Sequence, residues 1–290
     1  MRVLAAALIA VILWGASPVA AKIAVSSLSP MMVAILRTVI GGLVALPLAI
    51  LLRIPLPTDP SQRRLLALSG FCGFVAFPIL FTLGVLHTSA NHASMILASL
   101  PVFTGLIAMT WDKKRPGRAW WIGCTIAMIG EVLLIFGQGL GSETGASIGG
   151  DLLILASNGF ASLGYVAGGR LERGGYSAMG TTFYGVGLYA LVLLPLLFIV
   201  DPGTVMLAVP TGIWMAIAYL AVGVTIVGYV LWYWALGRGG IARIALLQFL
   251  QPVSGVILAA ILLGEHFGAE FIAASGVILF GVWYALRANR

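Results

Sequence analysis

The sequence predicts an all-α membrane protein: ten transmembrane helices, arranged as two inverted five-helix repeats, with both termini cytoplasmic. Three observations carry this. Only 9% of the 290 residues are charged and 61% are hydrophobic. A soluble domain carries roughly 25% charged residues, so this chain has too little charge to coat a water-exposed globule. Ten apolar stretches, each near the roughly 20 residues that a crossing helix needs, follow one another with short connections. The second half also echoes the first: Pro252 lies 151 positions after Pro101, and Pro195 lies 148 after Pro47.

Taken in order, the first stretch, 3–25, carries Trp14 near the midplane, roughly 16 Å deep at about 1.5 Å per residue. Ser17 and a bend at Pro18 follow. "GASPVAAK" resembles a leader-peptide cleavage site. Its basic lead-in is thin, and cleavage would leave nine spans where the repeat needs ten, so 3–25 is read as a span. The second stretch, 31–52, contains Arg37 and Pro47. The third, 64–86, places Phe74, Phe77 and Phe81 at i, i+3, i+7 on one stripe, with Pro78 among them. The fourth, 90–110, holds Ser99 and Pro101, and the fifth, 118–137, holds Glu131. The sixth, 150–169, sets Asn158, Ser162 and Tyr165 on one face at i, i+4, i+7. The seventh, 177–199, repeats the proline at Pro195, and the eighth spans 211–235. The ninth, 242–263, brings Gln248 and Gln251 onto one face ahead of Pro252. The tenth is 268–286.

Lysine and arginine set the orientation. One side holds Arg2, Arg53, Arg63, Arg64, Lys113, Lys114, Arg115, Arg118, Arg170, Arg173, Arg238, Arg243, Arg287 and Arg290, which is 14 of the 16 basic residues. The other side holds Lys22, together with Glu143, Asp151, Asp201, Glu265 and Glu270. Such an excess marks the cytoplasmic side. The net charge of +7 is therefore a topology signal and gives no reason to expect nucleic acid. Trp111, Trp120, Trp121, Trp232, Trp234 and Trp283 fall near the cytoplasmic ends of spans, and Trp214 near an outer end. These positions suit interfacial anchors.

The halves divide at about residue 140, with 1–140 as the first repeat and 141–290 as the second. "PVAAK" (18–22) pairs with "YVAGGR" (165–170). Five spans per half is an odd number, so the halves insert in opposite directions. "DKKR" after the fourth span is basic, whereas "GEHF" after the ninth is acidic. Inverted repeats build alternating-access transporters with the substrate near the midplane. A proline removes one backbone hydrogen bond and bends the helix. Pro18, Pro78, Pro101 and Pro252 are accordingly expected to bend or gate helices around a central cavity.

The chemistry available within the spans is sparse. Arg37 and Glu131 lie at matching depths, roughly 9–11 Å below the outer ends of their helices, and are expected either to pair or to serve in coupling. Trp14, Ser17, Phe77, Phe81, Ser99, Asn158, Ser162, Tyr165, Gln248 and Gln251 are the expected substrate-binding residues. Amides can hold an amino acid's charged groups while aromatic walls accept its side chain. His87 and His92, at i, i+5, suit no metal site on a helix, and Cys72 and Cys124 are expected as small packing residues. No metal and no cofactor is expected. A membrane-embedded enzyme would need paired aspartates, a Ser/His pair or zinc ligands at depth, and none is legible.

"HTSANHASMILASLPVF" and "GGIARIALLQFLQPVS" followed by "LLGE", with "WGASPVAAKIA" and "SPMMVAILRTVIGGL" at the start, resemble the EamA repeat of the drug/metabolite transporter superfamily over nearly the whole chain. Within that family the chain resembles YddG-like aromatic amino acid exporters. The resemblance implies a ten-helix carrier without an ATP site, working as a monomer in the inner (plasma) membrane on small metabolites. No acid stands in the first span, unlike the distantly related small multidrug antiporters, which disfavours cation antiport. No lysine or arginine lies deep in the later spans, which disfavours phosphorylated cargo. A neutral or zwitterionic substrate, such as an aromatic or apolar amino acid, fits. Import, or another neutral metabolite or drug, is the alternative.

Overall fold

A computed structural model describes residues 1–87, 96–113, 116–137, 147–200, 209–263 and 269–287. His92, Lys114, Arg115, Glu143, Asp201, Glu265, Arg290, the "GEHF" loop and the boundary at 140 lie outside these residues. The described residues contain helices and no strand.

The helices are α1 (Arg2–Gly15), α2 (Ser17–Ala24), α3 (Pro30–Leu51), α4 (Pro60–Phe71), α5 (Phe77–Leu86), α6 (Leu100–Asp112) and α7 (Arg118–Gly137). The second half supplies α8 (Ile148–Arg173), α9 (Ala178–Leu193), α10 (Leu197–Val200), α11 (Thr211–Ala218), α12 (Tyr229–Gly239), α13 (Ile241–Ala245), α14 (Gln251–Leu263) and α15 (Ala269–Arg287). Among the described residues six continuous runs are long and apolar enough to cross a bilayer: Arg2–Ala21, Pro30–Leu51, Pro60–Gly84, Ile148–Arg173, Ala178–Val200 and Thr211–Gly239. The other expected spans contain α6, α7, α13 with α14, and α15. Each of these four borders residues outside the described set.

Local chemistry starts and interrupts these helices. Ser29, Asp59, Ser147 and Ser177 accept hydrogen bonds from the first-turn amides of α3, α4, α8 and α9, satisfying donors that a helix start leaves free. The prolines sit at seams between unlike helical turns. Pro18 opens α2 directly after α1 ends, and Pro78 opens α5 after a π-helical turn, Cys72–Ala76. Pro101 opens α6, and Pro252 opens α14 after a 3₁₀ turn, Leu246–Leu250. Proline lacks the N–H that would close the preceding α turn, so the chain re-registers there. Pro47 lies within an uninterrupted α3, whereas its counterpart Pro195 falls in a 3₁₀ turn, Leu194–Leu196.

Packing follows an exchange pattern. α8, in the second half, lies against α4, α5, α6 and α12. α1, in the first half, lies against α12, α14 and the π-helical segment Tyr219–Gly228. Corresponding helices also pair across the halves: α3 on α9, and α7 on α15. Small residues allow the close approach. A Cβ on Gly42 would come within 2.1 Å of Ala190 Cβ, and one on Gly123 within 2.4 Å of Ala285 Cβ. Gly123 faces Ala285 while Gly130 faces Ile278 and Ala274, so α7 and α15 run antiparallel. Apolar side chains such as Leu51, Phe198, Ile261 and Ile272 remain exposed on the rim, as a lipid-contacting surface requires.

Candidate functional site

The seams converge on an aromatic cluster. Trp14 ends α1 and donates its indole N–H to the Val224 carbonyl at 3.0 Å. Its ring stacks on Tyr165 at 5.6 Å and meets Tyr229 at 5.4 Å and Trp232 at 5.2 Å. Phe74 lies 4.7 Å from Tyr229, and Tyr233 lies 5.5 Å from it. Trp14, Tyr165, Tyr229, Trp232 and Tyr233 are all buried. Four elements supply these rings: α1, α8, α12 and the π turn before α5. The close fit depends on Gly228 and Gly168. A Cβ there would fall 2.6 Å from Trp14 Nε1 and 2.3 Å from Tyr233 respectively.

One side of this cluster is sealed. Trp232, Tyr233, Leu236 and Ile241 have almost no open surface. Beyond them Asp112 pairs with Arg170 and, at 2.8 Å, with Arg173. Glu172 pairs with Arg238 at 3.0 Å and accepts from the Ala178 amide at 2.8 Å. The Arg170 guanidinium also lies 5.1 Å over the Trp111 ring. The basic residues of this end are therefore partly committed to ion pairs that join α6 of the first half to α8 of the second. Ser17, Arg37, Phe77, Phe81, Ser99 and Gln251 are only half-buried.

The expected binding residues divide into several groups. Asn158 and Ser162 are fully buried and engaged with the turn leading into α6. Asn158 donates to the Ile96 carbonyl at 2.6 Å and to Ser99 Oγ at 3.2 Å. Ser162 donates to the Leu100 carbonyl at 3.3 Å and accepts from Thr104 at 3.0 Å. In this state they fasten α8 to the Pro101 seam. Asn158 Oδ1 has no partner among the described residues. Ser17 donates to the Trp14 carbonyl at 2.6 Å, and Ser99 donates to that of Ile96 at 2.6 Å. Phe77 and Phe81 stack at 5.8 Å. Gln248 and Gln251 differ in setting: Gln248 is buried with both amide atoms unpartnered among the described residues, while Gln251 is half-buried.

Two expectations are corrected. Arg37 and Glu131 do not pair. Arg37 Nη2 reaches the Thr225 hydroxyl at 3.4 Å, and Thr225 in turn donates to the Leu220 carbonyl at 2.8 Å. Glu131 is buried on α7, and its Oε2 has no partner among the described residues. Matching depth is not proximity, because α3 packs on α9 whereas α7 packs on α15. Trp232 and Trp120 are not interfacial anchors: both are fully buried, and Trp120 donates to the Ala242 carbonyl at 3.1 Å. Trp111, Trp121 and Trp283 are exposed, as anchors are. Residues missed from sequence are Tyr229, Trp232, Tyr233 and Thr225. The spacing in "YVLWYW" was the available signal, since Tyr229 and Tyr233 share a face at i, i+4. Cys72 and Cys124 are free and buried. A groove lined by Gly42, Leu46, Pro47, Gly187 and Leu191 runs between α3 and α9. Its lining is apolar and it borders exposed leucines, so it reads as lipid contact.

This arrangement, a helical membrane bundle whose helices break around a deep aromatic and polar centre, defines a transporter-like class. The family model of the EamA-like transporter family matches residues 1–136 and again 148–287, and the chain belongs to that family. It is 30% identical over 283 residues to the uncharacterized transporter YdeK of Bacillus subtilis, covering 96% of this chain and 95% of the relative. It is 27% identical over 295 residues to a "probable amino-acid metabolite efflux pump" of Salmonella typhimurium (98% and 95% covered). Identity to a protein of the same description from Escherichia coli is 26% over 276 residues (92% and 89%). A solved crystal structure shares the fold, with a TM-score of 0.80 at 18% identity over 99% of this chain and 96% of that one.

Proposed function

We propose that the protein is a secondary transporter exporting small neutral or zwitterionic metabolites, with aromatic and apolar amino acids as the leading cargo. The observation that carries this is the deep, buried aromatic cluster around Trp14, built from helices of both halves. The efflux descriptions of two relatives support the direction and the cargo class. In this reading ten helices cross the inner membrane as inverted repeats, with the basic end and both termini cytoplasmic. The described state is then outward-facing. Ser17, Phe77, Phe81, Ser99 and Gln251 border the cavity, and Trp14 with Tyr165 forms its floor. Gln248, Asn158 and Ser162 come into play when the Pro101 and Pro252 seams flex. Pro18 and Pro78 serve as the other flex points.

Transport needs no cofactor, metal or ATP in this scheme, no catalytic step and no nucleic acid. One chain supplies both halves, so a monomer in the lipid bilayer suffices. Import, or another neutral metabolite or drug as cargo, is the second reading. Cells loaded with phenylalanine-containing dipeptides test the choice. Expression should speed the appearance of free phenylalanine outside. Unchanged efflux with faster uptake would favour import.

A further inference from the structure

We propose that Arg37 anchors the carboxylate of a zwitterionic cargo, so that among molecules with an apolar body the protein prefers those that carry a carboxylate. The proposal rests on the transporter reading and narrows its cargo.

A guanidinium offers five N–H donors in a planar fork. Among the described residues Arg37 uses one, in a long contact to Thr225 Oγ1 at 3.4 Å. The Thr225 proton is itself committed to the Leu220 carbonyl, so Thr225 acts as a fixed acceptor that aims the arginine. No described carboxylate pairs with Arg37. Asp112 and Glu172 are committed to arginines at the basic end, and the ionisable groups that act on Arg37 are the phenols of Tyr229 and Tyr165.

A charge within a membrane bundle is expensive and is kept paired or used. Among the described residues Arg37 has no anionic partner, which leaves the role of counter-charge to a ligand. The residue is set within the bundle, yet its side chain is only half-buried and keeps some open surface. Thr225 sits in the π-helical segment Tyr219–Gly228, and Gly41, one turn from Arg37, would place a Cβ only 3.2 Å from the Ala221 carbonyl of that segment. The arginine is thus held against a rigid backbone rather than left to swing. Tyr229 and Tyr165, whose phenols act electrostatically on Arg37, also pack on the Trp14 ring, whose face suits an apolar or aromatic body. A carboxylate takes the fork in a bidentate grip, which lysine cannot reproduce.

Thermal unfolding of the purified full-length protein in detergent tests this, with phenylacetate, phenylacetamide and phenethylamine as probes at matched ionic strength. Phenylacetate should raise the unfolding midpoint, and the amide and amine should bind at least about tenfold more weakly. Arg37→Gln should abolish the preference for the acid, and Arg37→Lys should retain part of it. If Arg37→Gln does not fold, the comparison of acid with amide on the unaltered protein decides alone. Equal binding of acid and amide, or no stabilisation by the acid, would overturn the proposal. The two readings fail separately. Acid binding through Arg37 without efflux of any amino acid would leave the anchor and remove the cargo assignment. Efflux that ignores the carboxylate would do the reverse.

Discussion

Trp14 shows what a single residue carries. Its depth was legible in the sequence, since it lies about halfway along an apolar stretch. Its partners were not, because they come from 151 to 218 positions away in α8 and α12. Trp232 shows the converse. A tryptophan near a span end looks the same whether it faces headgroups or a neighbouring helix, and only packing decides. Replacing Trp14 by alanine should cost about 3–5 kcal/mol through the cavity it leaves, lowering the unfolding midpoint and the yield of folded protein. Trp14→Phe should retain most stability and lose the bond to Val224. Arg37 and Glu131 lack mutual contact, so the destabilisations of Arg37→Ala and Glu131→Gln should add to within about 0.5 kcal/mol in the double variant. A coupling energy well above that bound would restore the ion pair.

Among elements, the seams were legible as prolines but not as to their kind. Sequence places Pro78 and Pro252 as bends. Whether a π turn or a 3₁₀ turn precedes them depends on the helices packed alongside, α8 for the first and α15 and α6 for the second. The polar face of α8 was legible at i, i+4, i+7. That Asn158 and Ser162 grip the α6 seam was not, because the carbonyls they bind carry no sequence signal. Helix pairing yields a sharp contrast. Gly42→Leu should drive α3 off α9, given Ala190 at 2.1 Å, and abolish folded expression. Gly276→Leu should be tolerated, since nothing lies within 4 Å of a Cβ there. Fluorescence size-exclusion profiles of the two variants check this. Matching profiles would mean that α3 and α9 do not approach as described.

At the scale of the whole molecule, the two-repeat organisation was legible from matched prolines, and the family match over residues 1–136 and 148–287 agrees with it. The latch at the basic end was not legible, because the arginines there read as topology signals rather than as partners of Asp112 and Glu172. Asp112→Asn with Glu172→Gln should loosen that end. A cysteine introduced at the fully buried Ala167, with Cys72 and Cys124 replaced, should then react faster with a membrane-impermeant thiol reagent in inside-out vesicles. A phosphatase fused after Arg290 should be inactive, and a green fluorescent protein there should fluoresce. The reverse would invert the proposed orientation. The most direct measurement is counterflow of labelled tryptophan, phenylalanine and leucine in liposomes holding the purified protein. Saturable exchange that unlabelled amino acid suppresses, and that Arg37→Gln weakens by about tenfold or more, is the expected result. Liposomes that exchange none of the three any faster than protein-free controls would contradict the amino acid transporter proposed here.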